Sequence, residues 1–519
     1  MNKSIIYALK HCRFHNRKTV QQLFITHLRQ ITSYKLDPDI INREDEIMVK
    51  ATTNYFDPIE YFSWLHNSTI GFPVDASKIT IIHEPDLFYK NLLDKCKKAE
   101  ERIILASLYL GTGELEEELV RAIEESVIAS NGKVKVNILL DYMRGSRGKI
   151  NSRKMLEPLL KENCVDSCKI CLYHTPKLRG VLKTIIPNRF NELIGLQHMK
   201  VYIFDDCLII SGANLSNDYF TNRQDRYFLI EDCKELCDFY SKLIKRVSEF
   251  SFRLLPGNKT SFDNDSNLHP LNSASNDFSR AVKNRIISLY HDEMNKNERK
   301  SMINQNSSID TWVFPLIQMG QLGISQDNEI TLKLLKTAPL GTTLRLATGY
   351  FNLTKEYTNA ILRDCKATCQ LLTAHPTANG FFGAKGVAGG IPAAYTTIEK
   401  SFYKRCEKLG LSERISLREY VRPGWTYHAK GLWYTLPNQK RPSLTLIGSS
   451  NFGYRSVKRD LETQIAVVTK NTRLQSALEE EYERIHRNSK AVTRNWLFQR
   501  DRIAPAWVCT AVLLFRYYF

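Results

Sequence analysis

The chain has 519 residues, of which 43% are hydrophobic and 25% charged, a composition that excludes a mainly disordered or collagenous protein. Lys and Arg outnumber Asp and Glu by 73 to 55, which gives a formal net charge of +18. That excess favours a polyanionic partner: nucleic acid, an anionic membrane surface or a phosphorylated substrate. The longest apolar runs fall short of the ~18 to 20 residues that a membrane-spanning helix needs, which excludes an integral multispan protein.

The first 36 residues form a basic, amphipathic segment. Seven Lys and Arg residues alternate with apolar side chains, and Asp37 is the first acidic residue. This pattern is typical of a mitochondrial targeting segment and lacks the compact apolar core of a secretory signal. A solvated basic helix that stays on the folded protein is the alternative.

The rest of the chain divides into two similar halves. Each half has a strand–helix–strand pattern, predicted at 103–110, 114–129 and 134–140 in the first half and at 344–351, 355–364 and 367–373 in the second. A polar stretch rich in Asn, Ser, Gly and Pro separates the two patterns. We therefore predict an α/β protein with a first domain at 37–254, a linker at 255–310, a second domain at 311–500 and an apolar tail at 501–519.

The C-terminal side of each half carries the same constellation of polar residues. In the first half, His198 and Lys200 begin a predicted hairpin, Asp205 lies at its turn, and Asn214 follows its second strand. The second half repeats this order with His428, Lys430 and Asn451, and it has Ser449 in the small-residue turn. Alternation along a strand places His and Lys on one face, and small residues let the Asn side chain approach whatever they hold.

A phosphate group would suit such a site. The imidazole can act as a nucleophile or an acid, the ammonium group can neutralise nonbridging oxygens, and Asn and hydroxyl groups are neutral donors. One His-x-Lys sequence would occur by chance, whereas two copies at matching places favour function.

The repeated H-x-K-x4-D pattern resembles the phospholipase D superfamily, and the resemblance covers about residues 80 to 490. Longer stretches resemble the mitochondrial phosphatidylglycerophosphate synthases of eukaryotes. They are 195–200, 211–226, 378–382 and 427–432. The resemblance implies two tandem domains, each a mixed β-sheet flanked by helices, related by a pseudo-two-fold axis with one active site between them.

The resemblance also implies the reaction, which moves the phosphatidyl group of CDP-diacylglycerol to glycerol 3-phosphate without a metal or other cofactor. His198 would be the nucleophile, and His428 would act first as the acid and then as the base. Other groups would hold the phosphate oxygens: Lys200, Lys430, Asn214, Asn451 and Ser449.

The two copies are unequal because Thr435 replaces the Asp of the motif in the second one. The motif includes Asp205 in the catalytic set, although an Asp at such a turn more plausibly braces the hairpin. Asp225 and Glu462 each lie 11 positions after the motif Asn, where either could orient an imidazole or form a surface salt bridge.

Partners and location follow from the same observations. We expect a peripheral protein of the mitochondrial inner membrane that contacts anionic lipid, with the tail 504–519 either on the bilayer or packed on the second domain. No dense basic cluster with interleaved aromatic residues points to nucleic acid. The alternatives are a phospholipase D-type phosphodiesterase or nuclease, a serine-accepting phosphatidyltransferase, and an inactive membrane-binding protein.

Overall fold

The computed structural model describes residues 56–180, 194–262, 268–303 and 309–518. They belong to one compact unit that begins at Phe56. The predicted targeting segment at 1–36 lies outside the described residues.

The first sheet has nine strands within the described residues, in the order β11-β10-β5-β4-β3-β6-β7-β9-β2. Its strands are β2 (Ile79–Ile82), β3 (Arg102–Ala106), β4 (Lys135–Asp141), β5 (Cys168–Tyr173), β6 (Val201–Phe204), β7 (Cys207–Ser211), β9 (Tyr227–Ile230), β10 (Phe252–Leu255) and β11 (Lys259–Ser261). The central strand β3 is parallel to β4 and antiparallel to β6.

The second sheet has nine described strands in the order β1-β12-β19-β18-β17-β13-β14-β15-β20. Its strands are β1 (Phe72–Pro73), β12 (Thr311–Met319), β13 (Thr343–Thr348), β14 (Thr368–Ala374), β15 (Ile415–Tyr420), β17 (Gly431–Thr435), β18 (Leu444–Gly448), β19 (Leu461–Thr469) and β20 (Ser489–Ala491). Strand β13 is parallel to β14 and antiparallel to β17, so the second sheet repeats the plan of the first.

Fifteen α-helices within the described residues flank or connect these strands. They are α1 (Pro58–Tyr61), α2 (Pro85–Lys98), α3 (Glu114–Ala129), α4 (Tyr142–Gly145), α5 (Ser152–Met155), α6 (Asn217–Thr221), α7 (Lys234–Ser248), α8 (Ser275–Ile303), α9 (Gln326–Lys336), α10 (Lys355–Asn359), α11 (Ile391–Lys408), α12 (Tyr454–Lys458), α13 (Thr472–Arg487), α14 (Arg494–Leu497) and α15 (Ala506–Phe515). None of the described helices is long and apolar enough to cross a membrane.

These elements confirm the mixed α/β architecture with a repeated sheet. Helix α3 begins and ends where the sequence predicts it, and the Glu116 side chain accepts a hydrogen bond from Gly113 N at its start. The predicted helix at 355–364 is instead α10 followed by a π-helical turn at Ala360–Asp364. The predicted polar linker contains helix α8, and strand β1 joins the second sheet although it precedes the first sheet in the chain. The domain limits remain a prediction.

A hydrophobic core joins the two halves. Buried side chains from the first sheet, including Ile210 and Phe228, belong to the same apolar cluster as Ile465 and Val467 of the second sheet. Each half also has a cluster of its own. Burial of this shared surface stabilises one fixed arrangement of the two sheets, which the site requires.

Candidate active site

A short ribbon brings the two motifs together. Strand β8 (Arg223–Gln224) pairs in parallel with β16 (Thr426–Tyr427), so Asp225 and His428 follow directly after paired strands. His428 N donates a hydrogen bond of 2.8 Å to Gln224 O. The site therefore lies where backbone from one half pairs with backbone from the other.

His428 is held by a carboxylate of the first half. Its Nδ1 lies 2.7 Å from Asp225 Oδ2, and both side chains are at least 95% buried. Lys430 Nζ donates 2.7 Å to the carbonyl of His428 and also lies 2.8 Å from Nδ1. An ionised Asp225 would hold the imidazole proton on Nδ1 and leave Nε2 as the reactive nitrogen.

His198 is held by a carboxylate of the second half. Its Nδ1 lies 2.9 Å from Glu462 Oε2, and Lys200 Nζ donates 2.7 Å to the carbonyl of His198. Ser456 Oγ donates 2.8 Å to Glu462 Oε1. Each imidazole is thus oriented by the carboxylate that belongs to the other motif.

The two His-x-Lys segments differ from their predicted setting. They precede the first strand of each hairpin, β6 and β17, instead of lying within it. His198 N donates 2.9 Å to Leu461 O, so the segment is tied to the second sheet. This cross-connection replaces the regular strand face that alternation predicts.

Burial dominates the electrostatics of the site. It raises the pKa of Asp225 to about 6 and that of Glu462 to about 7. Burial also lowers the pKa of His198 and of His428 well below the usual value, and the neighbouring charges of Lys200 and Lys430 respectively lower them further. The resting imidazoles are therefore neutral near pH 7, as a nucleophile requires.

The two Lys residues have no contact with bulk solvent. Burial lowers the pKa of Lys200 well below its usual value, and burial also lowers the pKa of Lys430. Their nearest anions are Glu462 and Asp225, whose charges oppose that shift. Bound phosphate would stabilise the ammonium forms, because it adds negative charge to a site with little water.

The two motif Asn residues lie beside the imidazoles. Asn214 Nδ2 donates 3.1 Å to the hydroxyl of Tyr219, which lies 3.3 Å from His428 Nε2. In the same turn, Gly212 lets Lys430 approach the backbone, since a Cβ there would lie 2.6 Å from Lys430 Nζ. On the other side, Asn451 N donates 3.0 Å to Ser456 Oγ, the group that also binds Glu462.

Asp205 lies away from the imidazoles, and the Ser449 hydroxyl is hydrogen-bonded to the backbone. Asp205 sits at the turn between β6 and β7, where its carboxylate accepts hydrogen bonds of 2.8 to 2.9 Å from three backbone N–H groups at 100–102. It braces the hairpin at the end of β6 opposite Lys200. The Ser449 hydroxyl donates 3.1 Å to Thr463 O and accepts from Thr463 N at 3.1 Å.

One cluster in the described part of the chain has the composition of a metal site. Ligand atoms of His198, Asp460 and Glu462 lie within 4.8 Å of one another. Their carboxylates already bind other groups, since Asp460 accepts from Leu196 N and Arg455 Nε, both at 3.0 Å. In the structure, His198 Nδ1 and the Glu462 carboxylate form an imidazole–carboxylate hydrogen bond.

Sequence reasoning missed three side chains of this site. Tyr219 and Tyr350 pack their rings against the His428 imidazole, with centroids 5.1 and 5.8 Å away, and Ser456 binds Glu462. The sequence held one signal: Tyr350 ends a segment, Leu-Ala-Thr-Gly-Tyr, that repeats the one ending at Tyr109 in the first half.

A separate cavity of about 320 Å³ lies beyond the ribbon. Gln224 lines it together with Arg422, Arg484 and Arg487. The neighbours of Gln224 on either side, Arg223 and Asp225, contact the site, so the cavity is on the opposite face of strand β8. None of the predicted site residues lines this cavity.

Known proteins resemble this chain over most of its length. The family described as "Cardiolipin synthase, PLD-like domain" matches residues 92–248. Proteins named mitochondrial CDP-diacylglycerol--glycerol-3-phosphate 3-phosphatidyltransferase, from Cricetulus griseus and Homo sapiens, are 44% and 43% identical over 89% of this chain. The matches span 87% and 86% of those proteins. The chain belongs to this family.

More distant relatives extend the match. The protein of the same enzyme name from Saccharomyces pastorianus is 32% identical, and the match covers 91% of this chain and 94% of that protein. A crystal structure of phosphatidylserine synthase from Haemophilus influenzae superimposes with a TM-score of 0.66 at 19% identity and covers 89% of this chain and 97% of its own. That likeness confirms the fold expected from the phospholipase D resemblance.

Proposed function

We propose that the protein transfers the phosphatidyl group of CDP-diacylglycerol to glycerol 3-phosphate, releasing CMP and supplying phosphatidylglycerophosphate for phosphatidylglycerol and cardiolipin synthesis. The names of the relatives support the substrates. The observation that carries the chemistry is the pair of buried imidazoles, each with its Nδ1 on a carboxylate. This arrangement fits a double displacement in which one imidazole carries the group and the other moves protons.

In the first step, His198 Nε2 attacks the phosphorus attached to diacylglycerol. Glu462 accepts a hydrogen bond from Nδ1–H and stabilises the positive charge that His198 gains as the N–P bond forms. The bond from phosphorus to the CMP oxygen breaks, and His428 donates a proton to that oxygen. His428 is neutral in the resting site, so it gains this proton once the negative charge of the bound diphosphate adds to that of Asp225, which lies 2.7 Å from Nδ1.

In the second step, a hydroxyl of glycerol 3-phosphate attacks the phosphatidyl-histidine. His428, now neutral, takes the hydroxyl proton at Nε2, and the N–P bond to His198 breaks. The proton lost in the first step is thus recovered in the second, and no net acid is consumed.

Cationic and amide groups would stabilise the charge that develops on phosphorus. Lys200 and Lys430 are fixed by hydrogen bonds to the carbonyls of their own histidines. Asn214 and Asn451 lie in the turns beside them. Fixed donors of this kind need no reorganisation as the transition state forms. Ser449 remains a weaker candidate because its hydroxyl binds the backbone of Thr463.

A membrane surface is the natural partner because the lipid substrate resides there. Helix α15 exposes Leu513, Leu514 and Phe515 at 82%, 61% and 53%, whereas Val508 is 1% exposed and packs inward. Trp507 of this helix contacts Gly390, the residue before helix α11, so α15 packs beside the start of that helix. We infer that α15 lies on an anionic bilayer, which the net charge of +18 attracts.

The names of the relatives also support a mitochondrial location. We propose that the protein is peripheral on the inner membrane. Fractionation with carbonate extraction tests this proposal: a peripheral protein is released, and an integral one stays in the pellet.

One assay tests the proposed reaction. Purified protein is given CDP-diacylglycerol labelled in the phosphatidyl group, together with glycerol 3-phosphate, serine or water, and the lipid products are identified. We expect a lipid product only when glycerol 3-phosphate is the acceptor, and we expect that product to be phosphatidylglycerophosphate. Phosphatidylserine would identify a serine-accepting enzyme, phosphatidic acid a phosphodiesterase, and the absence of any product an inactive lipid-binding protein.

A further inference from the structure

Arg223 lies close to the reactive side of His428. Its guanidinium carbon is 4.6 Å from the centre of the Tyr219 ring, and the hydroxyl of that ring is 3.3 Å from His428 Nε2. The Arg223 side chain is 14% exposed and is fixed by a hydrogen bond of 2.9 Å from Nε to Thr426 Oγ1. A rigid cation therefore stands one tyrosine ring away from the proton-transferring nitrogen.

A second segment covers the same guanidinium. A Cβ on Gly380 would lie 3.4 Å from Arg223 Nη2 and 3.6 Å from the Tyr350 hydroxyl. The next residue, Phe381, packs its ring 6.0 Å from Tyr350. Arg223 thus lies between the helix α6 side of the site and the turn at 379–382.

The equivalent position near His198 has the opposite charge. Arg223 is nine residues after Asn214, whereas Asp460 is nine residues after Asn451. Each forms an ion pair with a residue four positions after the same Asn, Arg223 with Asp218 at 2.8 Å and Arg455 with Asp460 at 3.0 Å. The two ion pairs therefore have their residues exchanged, with Arg at this position beside His428 and Asp at the matching position beside His198.

We propose that Arg223 binds the phosphate monoester of the acceptor and so selects glycerol 3-phosphate over uncharged or zwitterionic alcohols. This inference rests on the proposed function, in which the acceptor hydroxyl gives its proton to His428 Nε2. When the acceptor hydroxyl lies at His428 Nε2, the short glycerol chain keeps the acceptor phosphate close to the same nitrogen. The phosphate therefore lies within reach of a cation near Tyr219.

The local chemistry suits a phosphate dianion. A guanidinium presents several N–H donors in one plane and binds phosphate oxygens in pairs. The carboxylate that now faces Arg223, Asp218, is 55% exposed, so phosphate can replace it at little cost in desolvation.

The test separates acceptor binding from the rest of the reaction. Arg223→Gln and Arg223→Lys are compared with the unaltered protein in two assays: synthesis with varied glycerol 3-phosphate, and exchange of labelled CMP into CDP-diacylglycerol without acceptor. We expect Arg223→Gln to lower kcat/KM for glycerol 3-phosphate by about 10- to 100-fold and Arg223→Lys by less. CMP exchange should change less than about twofold, because that half-reaction does not use the acceptor.

Acceptor preference gives a second readout, measured with glycerol in place of glycerol 3-phosphate. The preference for the phosphorylated acceptor should shrink in Arg223→Gln in proportion to the lost kcat/KM. Arg246→Gln is the matched control, since Arg246 is paired with Glu249 on helix α7, and it should change none of these values. An unchanged preference, or CMP exchange that falls in parallel, would overturn the inference. If the unaltered protein makes no phosphatidylglycerophosphate, the proposed function itself fails.

Discussion

At the scale of single residues, the two histidines differ in what faces their reactive side. The Tyr219 hydroxyl lies 3.3 Å from Nε2 of His428, and Ser456 takes the matching position near His198 but binds Glu462 instead. A hydrogen-bonding hydroxyl at Nε2 suits a group that exchanges protons with substrate oxygens. This difference supports the assignment of His198 as nucleophile and His428 as acid and base.

Replacing each histidine should separate the two roles. We expect His198→Ala to abolish turnover and any trapped phosphatidyl-enzyme. His428→Ala should slow turnover by about 10²- to 10⁴-fold yet still form adduct from a substrate with a good leaving group. Mass spectrometry of protein denatured at alkaline pH, where the N–P bond is stable, measures the adduct, with His291→Ala on the exposed face of helix α8 as control. Adduct only in His198→Ala would reverse the roles.

The pH dependence of the first half-reaction should report Glu462. Its pKa is raised to about 7 by burial, so it becomes ionised, and able to stabilise positive charge on His198, only as the pH rises through that value. The same half-reaction needs the imidazolium form of His428, which is lost as the pH rises. We therefore expect the rate of CMP exchange to pass through a maximum, with a rising limb from Glu462 and a falling limb from His428. In Glu462→Gln the rate should fall by about 10²- to 10⁴-fold, and the rising limb should disappear. A Glu462→Gln profile that keeps the rising limb would assign it to another group.

Chelation provides another residue-scale test. Because the Lys and imidazole groups supply positive charge beside the phosphate, we expect activity in detergent micelles to survive exhaustive EDTA treatment. The measurement is phosphatidylglycerophosphate formation before and after chelation. Loss of activity that one specific metal restores would assign a catalytic ion to the cluster of His198, Asp460 and Glu462.

At the scale of elements, helix α15 has one inward and one outward face. Val508 is buried, and the Arg516 carbonyl accepts 2.9 Å from Asn352 Nδ2, so deletion of the tail would also disturb the fold. We therefore expect the triple change of Leu513, Leu514 and Phe515 to Ser to lower vesicle binding by at least about 10-fold at unchanged Tm. Sedimentation with anionic vesicles measures the binding.

A buried residue of the same helix is the control. Val508→Ala should lower the Tm and leave vesicle binding unchanged, because it removes only an internal contact. Full binding by the triple variant would place the membrane contact elsewhere, and the exposed Phe382 and Val387 near the site would be tested next.

The sequence predicted elements better than it predicted contacts between them. Local periodicity located helix α3 and the strands around it, and two copies of one motif located both hairpins. The pairing of Asp225 with His428 and of Glu462 with His198 was not predictable, because each pair joins residues more than 200 positions apart. Asp205 has a mixed outcome: the motif includes it in the catalytic set, but an Asp at this turn was also expected to brace the hairpin, and its contacts are with the backbone.

At the scale of the whole molecule, a buried ion pair ties the two halves together. Arg226 Nη2 and Nε each donate 2.8 Å to Glu481, and Nη1 donates 2.8 Å to Leu446 O, with the Arg226 side chain 0% exposed. The Arg226 guanidinium also lies 3.8 Å from the centre of the Trp433 ring. Removal of Arg226 would leave a buried carboxylate without its cation.

We expect Arg226→Met to lower the free energy of unfolding by about 3 to 5 kcal/mol, which chemical denaturation measures. Arg280→Met, which breaks an exposed pair with Asp277, should cost less than about 1 kcal/mol. The double change of Arg226 and Glu481 to Met should recover part of the loss, because no buried charge remains unpaired. Equal effects of Arg226→Met and Arg280→Met would show that the buried pair adds no stability.

Each motif supplies the carboxylate that orients the histidine of the other motif. This dependence constrains how such a repeated protein can change over evolutionary time. A repeated gene ordinarily frees one copy to diverge while the other keeps the activity. Here Asp225 acts on His428 and Glu462 acts on His198, so a loss in either copy disables the histidine of its neighbour as well as its own site. Neither half can become a spare, and two chains that are each defective in a different half should not restore activity when they are produced together.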